Sequence, residues 1–164
     1  MYLLVSGSPH PTSANSRLLQ GIGRLHPDEA TLADYLPQLP LFQPDREAVD
    51  IVNRWRKDVA QANAIIFCTP AYLYNLPAVL KNALEWLTTG GEVLAKPVLV
   101  FTFTPHPPRG DKARQSLLWS LQALNARIVA EAPLYQNEVR FLENGDIAPG
   151  PERDLLLASL ELLP

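Results

Sequence analysis

A single cysteine, Cys68, stands in the 164 residues, so no disulfide can close within the chain and the framework of a small disulfide-stapled secreted domain is excluded. Positive charge is in short supply too: 14 Lys and Arg face 17 Asp and Glu, for a net charge of −3. Those cations are scattered rather than massed on one stripe, which removes the electrostatic footprint of a nucleic-acid binder. No apolar run approaches the ~20 residues of a membrane-crossing helix, and Met1 to Ser6 lacks the basic leader and cleavage site of a signal peptide. His, Cys, Asp and Glu form no cluster at metal-ligand spacing. The expectation is a cytoplasmic protein with no nucleic-acid, membrane or metal partner.

What the chain has instead is proline. Its 16 prolines are about twice the usual ~5% share, yet 47% of the residues are hydrophobic, which a disordered proline-rich linker would lack. A chain of this length suits one domain, 1–164, around one core.

Tyr2 to Ser6 is a short apolar run ended by Gly7-Ser8-Pro9, the pattern of a buried strand entering a loop. From Asn15, Leu18, Leu19, Ile22 and Leu25 recur at helical spacing, with Ser13 and Asn15 available as caps. A second strand is expected over Ala30 to Tyr35, then a helix opening at Asp45 with Val49, Val52, Trp55 and Val59 inward. Ala64 to Cys68 is apolar on both faces, as parallel strands are. A helix follows from Pro77, where a missing N–H costs nothing, with Val79, Leu80, Ala83, Leu84 and Leu87 as its stripe. Pro97 to Thr104 is a β-rich strand; Asp111 to Leu124 is a helix with Leu117, Leu118, Leu121 and Leu124 inward. A fifth strand starts at Arg127, reaching Ala130 or continuing past Pro133, and Glu152 to Leu162 closes as a helix. This alternation argues for α/β: a five-stranded parallel sheet with helices on both faces, a flavodoxin-like three-layer sandwich of order 2-1-3-4-5 with a ligand crevice at the carboxyl ends of its strands.

The loop Gly7-Ser8-Pro9-His10-Pro11-Thr12-Ser13-Ala14-Asn15-Ser16 leads hydroxyls and an amide into a helix start, where free N–H groups and the macrodipole suit a phosphate. It is not a Walker A loop, for no Gly-Lys-Ser/Thr follows, and not the dinucleotide fingerprint, for Gly7 stands alone. Read by itself, it could equally be an ordinary polar N-cap.

Thr69-Pro70-Ala71-Tyr72-Leu73 followed by Leu76-Pro77-Ala78-Val79-Leu80-Lys81-Asn82-Ala83-Leu84-Glu85-Trp86 closely resembles the NADPH-dependent FMN reductase family, which carries Thr-Pro-Glu-Tyr-Asn and then Pro-Gly-x-Leu-Lys-Asn-Ala-x-Asp-Trp. Gly7-Ser8 with Ser13 and Asn15 is similar to its Gly-Ser-x-Arg-x-x-Ser-x-Asn phosphate loop, and Leu39-Pro40-Leu41-Phe42 with Asp45 to its Leu-Pro-Leu-Phe-x-x-Asp. The resemblance implies an enzyme that passes reducing equivalents from NAD(P)H through bound FMN to a small-molecule electron acceptor such as a quinone, free flavin or azo dye, as a homodimer or homotetramer. Ser8, His10, Ser13, Asn15 and Ser16 would face the phosphate. Pro70, Ala71, Tyr72 and Leu73, largely through main-chain N–H groups, would line the flavin ring with Thr104 and His106. No catalytic side chain is implied, because the flavin performs the redox chemistry.

The departures are specific. His10 stands in place of the family's arginine, exchanging a permanent bidentate cation for a titrating one. Ala71 and Leu73 replace Glu and Asn. The Ser-x-Gly-x-x-Gly-Gly loop has become Thr104-Pro105-His106-Pro107-Pro108-Arg109-Gly110, whose prolines offer no N–H. Either His106 and Arg109 meet the ring or the nucleotide instead, or the chain is a binding module that has lost its flavin. An electron carrier is the third alternative, for which −3 provides little acidic docking face. Cys68 is expected as a small core residue, Trp55, Trp86 and Trp119 in the core or at a subunit contact, and Lys81-Asn82 in packing or dimer contact.

Overall fold

The structure, a computed structural model, describes residues 1–26 and 30–164. Strands and helices alternate: β1 (Tyr2–Ser6), α1 (Ala14–Leu25), β2 (Ala30–Ala33), a 3-10 turn (Leu36–Gln38), α2 (Asp50–Gln61), β3 (Ala64–Thr69), α3 (Ala78–Glu85), β4 (Pro97–Thr104), α4 (Asp111–Ala123), β5 (Arg127–Tyr135) and α5 (Pro151–Leu160). The strands form one sheet, β2-β1-β3-β4-β5, parallel throughout. This is the expected flavodoxin-like architecture.

Alternation along each central strand divides the core in two. Leu3, Val5, Ile65, Phe67, Val98 and Val100 face one layer, covered by Val52, Trp55 and Val59 of α2, Leu80 and Leu84 of α3, and Leu117 and Leu121 of α4. Leu4, Ile66, Cys68, Leu99, Phe101 and Phe103 face the other, under Leu18, Leu19 and Ile22 of α1 and Leu156 and Leu160 of α5. Among the described residues no helix is long and apolar enough to cross a membrane.

Local boundaries differ from the periodicity in places. α2 opens at Asp50, five residues after Asp45, and Val49, expected in its buried stripe, is the extended N-cap and 43% exposed. β2 ends at Ala33. On α4 the buried stripe is Ala113, Leu117 and Leu121, with Leu118 and Leu124 at its margin. Trp119 on the same helix is 64% exposed, so of the two places expected for it, the core is ruled out. β5 runs through Pro133 to Tyr135, paired to β4 alone; an edge strand accommodates a proline because one of its sides needs no ladder donor.

Two of the recognised motifs turn out to hold each other. The Asn82 side chain accepts a hydrogen bond from Phe42 N (2.8 Å) and donates to Pro40 O (3.0 Å), and Trp86 Nε1 donates to the same carbonyl (2.8 Å). The proline-rich segment after β2 is thereby fastened to α3. Gly7 is required by packing: a Cβ there would lie 2.5 Å from Thr69 Oγ1 and 2.9 Å from Leu80 Cδ2. Its absence lets the first loop lie against the end of β3, with Gly7 N donating to Cys68 O (2.8 Å).

Candidate functional site

The loops after β1, β3 and β4 lie side by side on the carboxyl edge of the sheet, because parallel strands all end there. In the first loop Ser13 caps α1, its hydroxyl accepting from Ser16 N at 3.1 Å. The Ser16 hydroxyl sits among Ser6 Oγ (3.1 Å), Ser13 Oγ (3.0 Å) and His10 O (3.4 Å). Ser8, buried, takes the His10 N–H on its hydroxyl at 3.3 Å. The exposed His10 ring folds back on its own loop, with Nδ1 3.1 Å from Thr12 Oγ1 and accepting from Thr12 N at 3.3 Å.

With Ser16 N capped and Arg17 N bonded to Ser13 O, the N–H groups of Ala14 and Asn15 are left without an acceptor among the described residues. These are the orphan donors of a helix start, at its positive end. A hollow of ≈ 340 Å³ beside the loop is lined by Ser6, Ser8 and Ser16 and reaches Asp34, whose carboxylate is a poor neighbour for an anion.

Asn15 does something else with its side chain. It is buried, donating from Nδ2 to Phe103 O (3.2 Å) and accepting from Cys68 Sγ at Oδ1 (3.1 Å). The amide ties α1 to β3 and β4 beneath the loop. Burial pushes the Cys68 thiol far above the ordinary thiol range, so it is a core residue rather than a nucleophile.

After β3, Tyr72 and Asn75 exchange hydrogen bonds (3.0 and 2.9 Å) across a two-residue turn. Its central residues Leu73 (φ 50°) and Tyr74 (φ 60°) are both left-handed, a conformation that ordinarily calls for Asn or Gly. Pro70 has no N–H and that of Tyr72 is taken up by Asn75, so the main-chain donors expected over Pro70 to Leu73 reduce to Ala71 and Leu73. After β4, the buried Thr104 donates its hydroxyl to Arg109 O (2.7 Å), closing the proline loop on itself. Gly110, at φ 109°, turns the chain into α4, and a Cβ there would stand 3.0 Å from Thr104 Cγ2.

Between this hairpin and this loop opens a cavity of ≈ 630 Å³, its wall formed by Ala71, Leu73, Tyr74, Pro108 and Gly110 with His106, Arg109 and Lys112 among its polar groups. That volume lies within the range of small-molecule sites. The sequence-derived residues therefore separate into a polar group (Ser8, His10, Ser13, Ser16), a cavity group (Ala71, Leu73, His106, with Pro70 and Tyr72 beside it) and two that brace the loops from below, Asn15 and Thr104. Tyr74, Lys112 and the main chain of Gly110 were not anticipated. The signal available was position: they follow directly on segments already singled out. Among the described residues no group of three or more His, Cys, Asp or Glu could hold a metal ion.

The family description "NADPH-dependent FMN reductase" matches residues 2–138. The chain is 36% identical over 154 residues to the NADH:(hydroxy)cinnamate reductase subunit CrdA of Vibrio ruber, covering 89% of this chain and 76% of that protein. It is 36% identical over 86 residues to an NAD(P)H-dependent FMN reductase of Pseudomonas aeruginosa, covering 50% of this chain and 46% of that one. In structure it is similar to FerB, a flavoenzyme NAD(P)H:(acceptor) oxidoreductase from Paracoccus denitrificans, with a TM-score of 0.79 at 18% identity over 98% of this chain and 92% of that chain.

Proposed function

This chain belongs to the NADPH-dependent FMN reductase family, and from that premise we propose that it is an FMN-dependent NAD(P)H oxidoreductase delivering electrons to a small acceptor of the quinone, flavin or azo class. The observation that carries the reading is the pairing, on one sheet edge, of a helix start with free N–H groups and an apolar cavity of ≈ 630 Å³. A phosphate suits the first and a planar ring the second, so the donor set fits FMN.

In this reading the N–H groups of Ala14 and Asn15 and the hydroxyls of Ser8, Ser13 and Ser16 hold the phosphate, with the His10 imidazole at the mouth. Ala71, Leu73 and His106 hold the ring, flanked by Pro70 and Tyr72. Asn15 and Thr104 act as positioning residues, one fastening α1 to the sheet and the other fixing the carbonyl before Gly110. Bound flavin supplies the hydride chemistry; the chain's own groups bind, orient and shield, and no side-chain acid or base is assigned.

The described residues are read as a single domain, in a cytoplasmic protein. A homodimer or homotetramer is part of the proposal, supported by the exposed Trp119 beside the groove between α3 and α4; a monomeric mass by light scattering would remove that part. The central test is the visible spectrum. The protein is expected to gain a bound-flavin band with FMN and to lose it when NADPH is added without oxygen. A protein that stays colourless in excess FMN overturns the proposal. The flavin-free binding module then takes its place, favoured by the missing N–H groups of Pro105, Pro107 and Pro108.

A further inference from the structure

We propose that the cavity between the loops after β3 and β4 selects planar acceptors bearing an acidic group, such as quinones carrying a sulfonate or carboxylate, through Arg109 and Lys112. The inference rests on the reductase reading above and adds the substrate class.

The chain as a whole is anionic, at −3, and would on average repel such a molecule. The mouth of this cavity is the reverse. His106, Arg109 and Lys112 all line it, against one acid, Asp111. Asp111 is engaged elsewhere, 3.5 Å from Arg114, which also meets Glu131 at 2.9 Å. Neither Arg109 nor Lys112 takes part in an ion pair among the described residues. Lys112 lies across the opening, its Nζ 5.9 Å from the centroid of the Tyr74 ring, so the ammonium stands over an aromatic wall contributed by the opposite loop. Charge and apolar surface thus meet at one opening: beside the flavin ring held by Ala71, Leu73 and His106, Tyr74 and Pro108 suit the flat body of an acceptor stacked on that ring, and the two cations suit an acid at its edge.

The reaction balances as a two-electron reduction. NAD(P)H gives up a hydride and water a proton, the quinone becomes the hydroquinone, and NAD(P)⁺ and hydroxide remain. Both cations are exposed, so their contribution is an attraction through water that raises the encounter rate and lowers KM, and that salt weakens.

The test compares kcat/KM for 1,2-naphthoquinone-4-sulfonate with that for 1,2-naphthoquinone in the FMN-loaded parent and in Arg109→Gln/Lys112→Gln. Each variant is judged on the same two acceptors, so their difference in potential cancels. The charged-to-neutral ratio is expected to fall about fivefold to tenfold in the variant, mostly in KM, while added salt lowers the parent's ratio and leaves the variant's flat. Arg109→Lys should keep most of the ratio, which separates charge from folding. A second readout needs no turnover: in calorimetry on the purified protein, with whatever flavin it carries, 2-naphthalenesulfonate should bind the parent more tightly than the variant, and 2-naphthol should not discriminate. An unchanged ratio together with equal calorimetric affinities overturns the proposal. So does a variant whose NADPH-to-NADH preference shifts at constant acceptor ratio, since the cations would then belong to the nucleotide's 2′-phosphate. If FMN fails to bind, the reductase reading fails by its spectrum, while the calorimetry still decides whether the cavity prefers an acid.

Discussion

At the first loop, Ser6, Ser8, Ser13 and Ser16 are joined by short-range hydrogen bonds, three of them buried, with Ser13 capping α1. Beyond the end of the neighbouring strand β3, Leu73 is 97% exposed and sits with Tyr74 in left-handed backbone, facing a loop of prolines and free cations. One end of the groove is prefolded, its hydroxyls bonded to one another and the N–H groups of Ala14 and Asn15 left over; the other is open, apolar, charged and strained. The difference separates two tasks. On the proposed reading, a phosphate, the same in every FMN molecule, would be met by fixed main-chain donors, whereas an acceptor varies and would be met by side chains on loops that packing does not specify.

The comparison can be broken most forcefully at the prefolded end. Gly7→Ala places a Cβ against Thr69 and Leu80, and overpacking of this kind should cost about 2 kcal/mol in urea unfolding and weaken FMN binding with it. A variant as stable as the parent would refute the close approach of the first loop to β3. At the open end the sign should reverse. Leu73→Asn with Tyr74→Gly gives the turn residues suited to positive φ, and relief of left-handed strain should raise stability by about 1–2 kcal/mol, while acceptor turnover falls with loss of the apolar wall. A lower melting temperature would contradict the strain. Ser13→Ala removes the α1 cap and should cost about 1 kcal/mol and weaken FMN binding, leaving the ratio of charged to neutral acceptor unchanged; a shift in that ratio would mean that the two ends are not separate.

The smallest effect is expected outside both ends. Tyr35 donates to Asp58, and burial, then that hydrogen bond, raises its pKa above the ordinary tyrosine value. The folded state therefore holds this proton more tightly than the unfolded chain, so the stabilisation is complete below about pH 10, where free tyrosine titrates, and is lost as pH rises further. Melting temperatures across that range should fall less steeply for Tyr35→Phe than for the parent, and identical slopes would exclude the contribution.

How much of this was legible varied with what the residues depend on. The strands were readable at Tyr2–Ser6, Ala64–Cys68 and Pro97–Thr104 because both faces are apolar. The start of α2 was not. Val49 lies three residues before Val52 and satisfies helical spacing, yet it stands as the extended N-cap and stays 43% exposed. Trp119 shows the same limit, since spacing places a side chain on a helix face without saying what stands opposite. At the site, Ser13 and Ser16 were legible as a helix start. Asn15 was recognised as part of the same motif, but its amide points into the sheet, where Phe103, distant in sequence, supplies the carbonyl.

Proline placement was decided by sequence alone. Nine of the 16 prolines follow the ends of the first four strands, because a residue without an N–H is excluded from the interior of a central strand and tolerated in a loop or, like Pro97, at a strand's first residue. Composition, hydrophobic alternation and three motifs likewise determined the α/β class, the sheet and the family. Tertiary structure decided the rest: that Asn82 and Trp86 clasp Pro40, that Asn15 reaches the carbonyl of Phe103, and that Arg109 and Lys112 share a cavity with Leu73 and Tyr74. The first set depends on each residue's own preference for backbone and burial, which is local. The second depends on which segments the sheet brings together: Pro40 lies 42 residues from Asn82 and 46 from Trp86, and the two sides of the cavity come from different loops.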